Sequence, residues 1–560
     1  MKQFKSLMKS FLGVMAVLAV VSCESDTWKD HYSFRSDSND PTGSLAQTLN
    51  DMPEAAKFVQ ALRTTYMFNG NKQLRITYWQ FLNDNQFLTV WLPDAQSISD
   101  ADWDRYTSTA KDKDHKLVGT EFILNHIARF SHPVGTETKE KVKMMSNKTY
   151  RSVGDGIDGV SYKETNIRCS NGVLHKLNGK IVYRPNLYEY ITGALTTKSD
   201  KGQDYDFRTI GSWIDLYTNR ILDEENSIEG DYNANTGLLE YVDSVIKTEN
   251  PILKKYAFID SEDSSYSMVL PLPSVWQTAY DRIKDYFTYE SGVIGGDSLQ
   301  RYWTNSSMIT DLFFNNNIQT SINDSATSTL FKWSERRTQK YPYHVFYKPF
   351  SEGGLFADAT VGNGVVDKVT CSNGTLYIRN DWPYSDSIFR RTIRIEAEDI
   401  LVDNEEKKIS SRPKTARYTL DSVNYISARV MEISAETKSW SVDYDIKNNL
   451  KGKYDVKFIF FRNSEKKQNT VYFNIDYLTD SDGIKKLYVA QKGPKKTTYK
   501  VGTRELPDTI GIGTIEFPTG NYESGSARLT VQVGCQGSSN TTTESNKVWL
   551  DCIILEPVFE

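Results

Sequence analysis

Residues 169–174 have the sequence Cys-Ser-Asn-Gly-Val-Leu, and residues 371–376 repeat it almost unchanged as Cys-Ser-Asn-Gly-Thr-Leu. The two copies lie much farther apart than the units of a solenoid, which repeat every 20–50 residues or so. This separation therefore indicates a duplicated domain. Asn-Gly tolerates positive φ in a tight turn, and apolar residues flank it in both copies. Each copy is predicted to form a strand, a turn and a second strand.

The segments ahead of the two copies also follow one order. A strand candidate runs into proline, and a helix-like run and a short apolar segment follow. These stretches are residues 88–93, 97–106 and 121–130 before the first copy, and 266–273, 274–287 and 309–315 before the second. The shared order predicts that the whole domain is duplicated, not the motif alone.

This order resembles the fasciclin domain, which has a strand ending in Ala-Pro-Thr-Asp, a Tyr-His segment and an Asn-Gly-x-x-His motif. The matching residues of the first repeat are 90–95, 125–126 and 171–181. Asn125 replaces the tyrosine, and in the second repeat Tyr377 replaces the last histidine. The resemblance implies α+β fasciclin-like domains at 41–190 and, in divergent form, at 191–388.

His126 and His175, in the first repeat, are the side chains that would be considered first for a catalytic role. The family offers no catalytic role for them, and we expect buried hydrogen bonds that orient strands. The six histidines include no pair at metal-ligand spacing on a helix. The sequence also lacks a phosphate-binding loop, a dinucleotide fingerprint and a Gly-x-Ser-x-Gly motif. We therefore predict that the protein is not an enzyme.

The first residues predict the cellular location. Three lysines precede an apolar run at residues 11–21, which is shorter than the twenty or so residues that span a bilayer. Val-Val-Ser-Cys follows and ends at Cys23. This pattern resembles a bacterial lipoprotein signal peptide at residues 1–22 that is removed before acylation of Cys23, for example with palmitate. Polar residues 23–40 are then a lipidated tether, and the acidic residues after Cys23 resemble the surface-export signal of Bacteroidota lipoproteins.

Charge and cysteine content add two expectations. The formal net charge is −5, and removal of the three leader lysines makes it more negative, which argues against nucleic acid as a partner. Cys169 and Cys371 occupy equivalent positions in separate repeats and are predicted to be buried thiols. Whether Cys535 and Cys552 form a disulfide stays open.

From Arg391 onward the apolar pattern changes to period two. The alternating stretches are residues 394–398, 440–446, 454–460, 471–475 and 527–533. Strands at this spacing without helices between them predict an all-β sandwich at residues 389–560.

This region resembles the jelly-roll carbohydrate-binding modules that open with Glu-Ala-Glu. Five short pieces match in the family's order, at residues 395–398, 424–426, 439–446, 452–456 and 551–555. The resemblance implies a structural calcium held by Glu396, Glu398 and Asp551, since calcium needs several oxygen ligands. Surface carboxylates on edge strands would leave the same pattern, and that alternative stays open.

The same resemblance implies a sugar site. Tyr425 matches the stacking tyrosine, and Trp440 matches a tryptophan that lies near the site in some members and in the core in others. Trp549 stands where the family has an asparagine that clamps the sugar. The tryptophan would replace this clamp by stacking, or the site would be inactive.

Together these features predict a lipid-anchored outer-membrane protein with two fasciclin-like domains and a C-terminal jelly-roll, facing the cell exterior. The expected function is non-catalytic binding of a glycan, or of a peptide, beside a starch-utilisation-type (Sus-type) transporter. Its expected partners are a TonB-dependent barrel and the lid lipoprotein of that barrel, with membrane contact through the lipid alone. The alternative is an adhesion or assembly protein that acts through fasciclin contacts and binds no small ligand.

Overall fold

The computed structural model of the chain separates into two compact units, Met1–Arg184 and Pro185–Glu560. The structure describes residues 43–69, 72–84, 86–193, 197–225, 227–232, 239–243, 246–291, 293–315, 325–327, 329, 345–347, 353–359, 362–397, 409–410, 414–419, 429–434, 440–446, 448–463, 465–479, 483–489, 498–502, 507–522, 528–535, 545 and 547–559. Among these residues, no helix is both long enough and apolar enough to cross a bilayer.

The first unit combines short helices with one large sheet. Its helices are α1 (Leu45–Asn50), α2 (Ala56–Thr64), α3 (Tyr78–Leu82), α4 (Asp100–Thr107) and α5 (His115–Val118). Its strands are β1 (Tyr66–Asn69), β2 (Lys72–Thr77), β3 (Leu88–Leu92), β4 (Ile127–Arg129), β5 (Lys139–Lys143), β6 (Thr149–Val153), β7 (Gly156–Ile157), β8 (Val160–Cys169) and β9 (Gly172–Leu177). Seven of them form a sheet in the order β4-β3-β9-β8-β7-β6-β5.

Side chains at the first turns define where two of these helices begin. The Ser44 hydroxyl accepts the backbone N–H of Gln47, whose side chain accepts the N–H of Ser44. Thr77 and Gln80 form the same reciprocal pair at α3. Such a capping box satisfies backbone donors that the helix itself leaves without partners.

Strand β3 is buried along its whole length because both of its faces are covered. Leu88, Val90 and Leu92 contact the apolar core beneath the helices. Trp91 belongs to a second, smaller core together with Tyr150. A strand that is covered on both faces has few polar positions, and the predicted apolar strand is confirmed.

The second unit begins with a helical and sheet region that contains the second copy of the motif. Its helices are α6 (Leu187–Thr192), α7 (Arg208–Asp215), α8 (Pro251–Tyr256), α9 (Pro273–Ile283) and α10 (Gly296–Met308). Its strands are β10 (Asn219–Leu222), β11 (Ile228–Tyr232), β12 (Leu239–Asp243), β13 (Ile246–Glu249), β14 (Tyr266–Pro271), β15 (Phe313–Asn315), β16 (Ser325–Thr327), β17 (Val345–Tyr347), β18 (Val365–Cys371) and β19 (Gly374–Arg379).

The predicted duplication is confirmed by the two sheets that hold the motif. In the first unit, β3 lies antiparallel to β4 and parallel to β9, and β9 pairs antiparallel with β8. In the second unit, β14 pairs with β15 and β19, and β19 with β18, in the same directions. The motif forms the β8–β9 turn in one unit and the β18–β19 turn in the other, as predicted.

The asparagine of each motif ties its turn to two distant segments. Asn171 Oδ1 accepts the backbone N–H of Leu45 at 2.7 Å. Its Nδ2 donates to the carbonyls of Leu82 and Asp84, both at 2.9 Å. The turn therefore fixes the start of α1 and the end of α3.

Asn373 makes the same contacts in the second unit. Its Oδ1 accepts the backbone N–H of Leu187 at 2.9 Å. Its Nδ2 donates to the carbonyls of Ile259 and Ser261 at 2.7 and 3.0 Å. The asparagine of each motif thus connects the turn to distant segments of its repeat. A preference for turns alone would not explain why asparagine stands at this position in both copies.

The glycine of each motif is required by close backbone packing. Gly172 has φ +152°, and a Cβ atom there would lie 1.9 Å from the carbonyl oxygen of Leu88. Gly374 has φ +149°, and its Cβ would lie 1.9 Å from the carbonyl oxygen of Tyr266. A residue with a side chain cannot occupy either position without moving the neighbouring strand.

The boundary between the repeats differs from the predicted one. The prediction placed it after residue 190, which falls inside α6. The second unit instead starts at Pro185, because Leu187 is bonded to Asn373 of the second motif. α6 therefore opens the second repeat, as α1 opens the first.

In the C-terminal part of the second unit, the elements that the structure describes after residue 390 are strands. Its strands are β20 (Ile393–Glu396), β21 (Ile409–Ser410), β22 (Lys414–Thr419), β23 (Arg429–Ser434), β24 (Trp440–Ile446), β25 (Gly452–Phe461), β26 (Asn469–Thr479), β27 (Gly483–Val489), β28 (Tyr499–Val501), β29 (Asp508–Phe517), β30 (Arg528–Cys535) and β31 (Val548–Pro557). They form one sheet in the order β22-β23-β31-β25-β29, with β20 on β31, and another in the order β21-β24-β30-β26-β27, with β28 on β26.

Alternate residues of both sheets meet in one apolar core. Val456 and Phe458 of β25 contribute from one sheet, and Val471 and Phe473 of β26 contribute from the other. The rings of Phe458 and Phe473 stack with centroids 3.8 Å apart. The predicted β-sandwich is confirmed, and period two arises because only one face of each strand is turned inward.

A loop of the sandwich packs against the repeat that precedes it. Leu450, at a loop of the sandwich, is buried in the core of the second repeat. The Lys451 N–H donates to the Tyr286 carbonyl at 3.0 Å, and the Gly520 N–H donates to the Thr288 carbonyl at 2.7 Å. The C-terminal sandwich is therefore not a separately tethered domain.

The question of a C-terminal disulfide is also answered. Cys552 is a free, buried thiol, as are Cys169 and Cys371. Cys552 lies on β31 and Cys535 lies on β30, in opposite sheets of the sandwich. The expectation of buried free thiols in the two repeats is confirmed.

Candidate functional site

The residues predicted to bind ligand do not form one cluster. Trp440 is wrong as a ligand-facing residue, because its side chain is 2% exposed and lies in the sandwich core. Its strand alternates, so Trp440 points inward with Val442 and Tyr444. Tyr425 lies outside the residues that the structure describes, as do Glu398 and Cys23.

Trp549 lies on β31 and is partly exposed. It pairs in register with Glu432 of β23, and its indole N–H donates to Glu432 Oε2 at 2.6 Å. This bond anchors the indole to a neighbouring strand and uses its one donor.

Two of the predicted metal ligands do come together, next to an arginine. Arg394 Nε lies 2.5 Å from Glu396 Oε1, and Arg394 Nη2 lies 3.4 Å from Asp551 Oδ2. The Cys552 thiol contacts the same Asp551 oxygen at 3.0 Å. We call these four residues the acid–arginine cluster.

A β-bulge explains how neighbouring residues of one strand reach this cluster. Opposite β25, Ile459 pairs with Cys552 and Phe460 pairs with Leu550, so Asp551 is the extra residue. A bulge interrupts strict alternation, which lets Asp551 and Cys552 share one environment. Asp551 is fully buried.

The electrostatics of the cluster follow from burial and opposite charge. Burial alone would lower the pKa of Arg394, but the hydrogen bond to Glu396 and the electrostatic interactions with Cys552, Glu396 and Asp551 together outweigh burial and raise that pKa. Burial first, and then the charge of Asp551, raise the pKa of the Cys552 thiol far above its ordinary range. The Cys552 thiol is therefore protonated at neutral pH, beside the Arg394 guanidinium.

Glu396, Asp551 and Cys552 form a group that could hold a metal ion, since one ligand atom of each lies within 4.8 Å of the others, but these residues alone do not complete a calcium site. Calcium takes six to eight or so oxygen ligands. The described residues supply only the carboxylates of Glu396 and Asp551, and the guanidinium of Arg394 already contacts both. A protonated thiol such as that of Cys552 is a poor ligand for a hard cation. The predicted acidic pair is present, and the cation that the structure places beside it is Arg394.

The outward face of the other sheet carries a second set of polar groups. Tyr472, Asn474 and Asp476 alternate with core residues along β26, and all three are partly exposed. Asp443 of β24 lies two strands away, because Asp443 and Asn474 both pair with Gln532 of β30. We call Asp443, Tyr472, Asn474 and Asp476 the polar face.

A lysine borders the polar face. Lys486 of β27 pairs in register with Asp476, and its Nζ lies 3.8 Å from Asp476 Oδ1. The face therefore combines an aromatic ring, an amide and two carboxylates, and the carboxylate of Asp476 is ion-paired with Lys486.

Sequence reasoning does not select these residues, although their signal is present. The stretch at residues 471–475 alternates, and this pattern assigns its apolar positions to the core. The complementary positions contain Tyr472 and Asn474, which place an aromatic ring and an amide on the opposite face of the strand. Which face of a strand is open depends on the partner sheet, and the sequence does not contain that information.

The two histidines of the first repeat are structural, as expected. His126 is fully buried, with Nδ1 2.7 Å from the Phe122 carbonyl and Nε2 accepting the Ile181 N–H at 3.1 Å. Burial lowers the pKa of His126 to about 4, so the ring is neutral at pH 7.

In His175 the two ring nitrogens exchange roles: Nε2 faces a carbonyl and Nδ1 accepts a backbone N–H. Its Nε2 lies 3.0 Å from the His132 carbonyl, and its Nδ1 accepts the Asn166 N–H at 3.2 Å. The His175 ring stacks on Trp91. Burial lowers the pKa of His175 to about 4 as well. Both rings connect distant backbone segments.

Comparison with known proteins gives no close relative. No family model matches the chain, and no curated protein matches it. Similar solved structures include the CBM22-1 xylan-binding domain of Xyn10C from Paenibacillus barcinonensis, at 9% identity and TM-score 0.20, over 28% of this chain and 88% of that one.

Two other solved structures contain carbohydrate-binding modules. One is CBM36 in complex with calcium and xylotriose, at 12% identity and TM-score 0.17, over 29% of this chain and 99% of that one. The other is the GH26-CBM35 β-(1,4)-mannanase of Podospora anserina, at 12% identity and TM-score 0.18, over 30% of this chain and only 28% of that one. At these TM-scores the likeness assigns no function to this chain.

Proposed function

We propose that the sandwich binds glycan without cleaving it, and that the polar face is the binding surface. One observation carries the proposal: Tyr472, Asn474 and Asp476 follow one another on a single partly exposed strand face, with Asp443 two strands away. A tyrosine ring can stack on the C–H face of a pyranose. Amide and carboxylate groups bond the hydroxyls at its edge, and together these are the components of a sugar site.

The test uses the chain without its leader and a panel of neutral xylo-, manno-, gluco- and galacto-oligosaccharides. Tyr472→Ala is expected to weaken binding of the preferred oligosaccharide about tenfold, which corresponds to about 1.4 kcal/mol. Tyr232→Ala is the control, because Tyr232 is 72% exposed elsewhere in the same unit. Equal affinity of the Tyr472 variant and the control would contradict the proposal, and release of shorter sugars would reveal an enzyme.

The predicted stacking residue is tested in the same assay. Tyr425→Ala should weaken binding if the ligand surface lies where the resemblance to carbohydrate-binding modules puts it. Loss of binding in this variant with none in Tyr472→Ala would move the site from the polar face to Tyr425.

We also propose that the protein is an outer-membrane lipoprotein, acylated on Cys23 and facing the cell exterior. In this proposal the two repeats are fasciclin-like spacers, and the protein is an accessory of a Sus-type uptake complex. The leader sequence and the match of residues 90–95 and 171–181 support this view. Purification of the lipidated protein from its own outer membrane tests it. Co-purification of a TonB-dependent barrel and its lid lipoprotein is the expected result, and recovery of the protein alone would contradict it.

An adhesion or assembly role is the second candidate, and one observation favours it. Phe87 and Phe130 lie side by side, joined by a backbone hydrogen bond of 2.8 Å, and are 47% and 69% exposed. Phe130 also has φ +68°, which is unusual for a residue with a side chain. An exposed aromatic pair of this kind is typical of a protein contact surface. Phe130→Ala should then reduce capture of the partner and leave glycan binding unchanged.

A further inference from the structure

The second repeat contains a cleft of about 440 Å³ next to α8. Its volume lies within the range of small-molecule sites, about 300–1,000 Å³. Ile221 and Leu253 contribute apolar lining, and Asn219, Glu249 and Asp260 contribute polar groups. The cleft lies outside the polar face, so what it binds does not depend on the sandwich.

An aromatic ring lines this cleft and is open to solvent. Phe258 is 50% exposed. The duplication provides an internal comparison, because Asn171 anchors residue 82 and Asn373 anchors residue 259 in the same way. The residue before each anchor point is a phenylalanine, and Phe81 packs against the core of the first unit. The second repeat therefore exposes, in a cleft, a ring whose counterpart helps to build a core.

The segment that carries this ring is held rigidly. Asn373 Nδ2 donates to the carbonyls of Ile259 and Ser261. The Asn186 amide donates to the carbonyl of Asp260 at 3.2 Å, and the Phe258 N–H donates to the Tyr266 hydroxyl at 3.2 Å. Four backbone groups in succession are thus anchored, and a site of this kind needs little ordering when it binds a ligand.

The opposite wall is also fixed. Asn250 Nδ2 donates to the Ile214 carbonyl and the Thr218 hydroxyl, both at 2.8 Å. Asn250 Oδ1 accepts the N–H groups of Ile252 and Leu253. This amide has used its hydrogen-bonding capacity and serves as a support for the wall.

The charges around the cleft indicate an uncharged polar ligand. Glu249 and Asp260 offer carboxylate acceptors, and Asn219 and Lys254 offer donors. Lys247 lies outside the cleft lining, 3.9 Å from the Glu249 carboxylate. A phosphate or uronate would meet two carboxylates here, whereas a neutral ligand with hydroxyl groups can use both donors and acceptors.

We propose that this cleft is a second carbohydrate site, which binds an uncharged pyranose unit stacked on Phe258. Carboxylates of Glu249 and Asp260 accept hydrogen bonds from sugar hydroxyls, and the amide of Asn219 donates to a ring or hydroxyl oxygen. A protein with two such surfaces holds one polysaccharide at two points, which raises its avidity without new contacts.

The experiment places one 4-fluorophenylalanine at position 258 of the leaderless chain and follows its ¹⁹F resonance. The probes are neutral xylo-, manno-, gluco- and galacto-oligosaccharides at up to millimolar concentration. A saturable shift at position 258 is expected for at least one of them. The matched control carries the label at Phe559, which is 42% exposed in the same unit but outside the cleft lining, and its signal should stay unchanged.

Variants separate this site from the polar face. Asn219→Ala should raise the dissociation constant measured from the resonance at position 258 about tenfold. Tyr472→Ala should leave this dissociation constant unchanged. If the polar face binds no sugar, the resonance at position 258 should therefore still shift on addition of oligosaccharide. If no oligosaccharide of the panel shifts the resonance at 258, or if the shift appears equally at 559, the second site does not exist.

Discussion

Asn171 and Asn373 make equivalent hydrogen bonds in the two repeats. Each side chain accepts one backbone N–H at the start of a helix and donates to two carbonyls of a single short segment. All of these contacts lie far away in sequence from the asparagine. The repeated motif is therefore a clamp that joins three parts of each repeat.

Removal of the clamp should destabilise the repeat that contains it. Asn373→Ala leaves a buried N–H and two carbonyls without this partner, and the expected loss is about 2–4 kcal/mol. Urea unfolding followed by circular dichroism measures it. Asn83→Ala, at an exposed position, is the control and should change stability by less than about 1 kcal/mol. Similar midpoints for the two variants would show that the clamp is dispensable.

The motif glycine should tolerate alanine less well than a glycine with open space around it. Gly374→Ala places a Cβ against the Tyr266 carbonyl and should cost more than about 3 kcal/mol. Gly353 also has positive φ, +74°, but a Cβ atom added there would meet no atom within 4 Å, so Gly353→Ala should cost only about 1 kcal/mol. Thermal unfolding of both variants separates the effect of the steric clash from the effect of positive φ. Equal losses of stability in the two variants would contradict the close approach of residue 374 to the Tyr266 carbonyl.

Stability of the first unit should fall in mild acid because of its buried histidines. The folded pKa values of His126 and His175 are lowered to about 4, below the unfolded value of about 6.5. Between these values the unfolded chain takes up protons that the folded chain excludes. The contribution is therefore complete above about pH 6.5 and is lost as the pH falls toward 4, up to about 3 kcal/mol per histidine.

Urea midpoints between pH 7 and pH 5 measure this effect. The slope of stability against pH should become shallower in His126→Gln, in which one of the two rings is removed. An unchanged slope would mean that His126 takes up its proton as readily in the folded protein as in the unfolded chain.

The acid–arginine cluster predicts how the sandwich responds to calcium. Because Arg394 already contacts Glu396 and Asp551, chelation of calcium should leave the melting temperature of the unmodified chain unchanged. Arg394→Ala should destabilise the sandwich by about 2 kcal/mol. This loss is smaller than the loss on breaking a fully buried ion pair, because Arg394 and Glu396 keep part of their surface in water. Millimolar calcium should then restore part of the loss in this variant. Melting at a lower temperature after chelation of the unmodified chain would show that calcium binds there after all.

The buried thiols should be unreactive until the protein unfolds. Cys169, Cys371 and Cys552 are buried, and burial raises the pKa of Cys169 and Cys552, so the reactive thiolate is scarce. Iodoacetamide should label these three residues only in denaturant, as measured by peptide mass spectrometry. Rapid labelling of Cys552 in the native chain would contradict the packing of the acid–arginine cluster.

The features that sequence could predict are those that neighbouring residues determine. The strand-turn-strand form of each motif follows from Asn-Gly between apolar residues, and the sandwich strands follow from period two. The roles of Asn171 and Gly172 depend on the segments that approach them, at Leu45 and Leu88, and no local pattern contains those contacts.

The candidate site was harder to predict for a related reason. Trp440 begins an alternating stretch with Val442 and Tyr444, and this pattern already favours a core position. The bulge at Asp551 and the approach of Arg394 depend on how β20, β25 and β31 are paired. Phe81 lies within α3 and Phe258 follows the end of α8, and the exposure of each ring depends on the segments that pack around it, which residue type and spacing do not show.

The position of β31 constrains how the sandwich assembles. Strand β31 occupies the interior of its sheet and pairs with β20, β23 and β25, all of which precede it in the sequence. Strands β22 and β23 pair with each other, as do β25 and β29, but among the described strands only β31 joins these two pairs into one sheet. Loss of residues 548–557 would therefore divide this sheet into two separate pairs and leave the apolar side of each open to water.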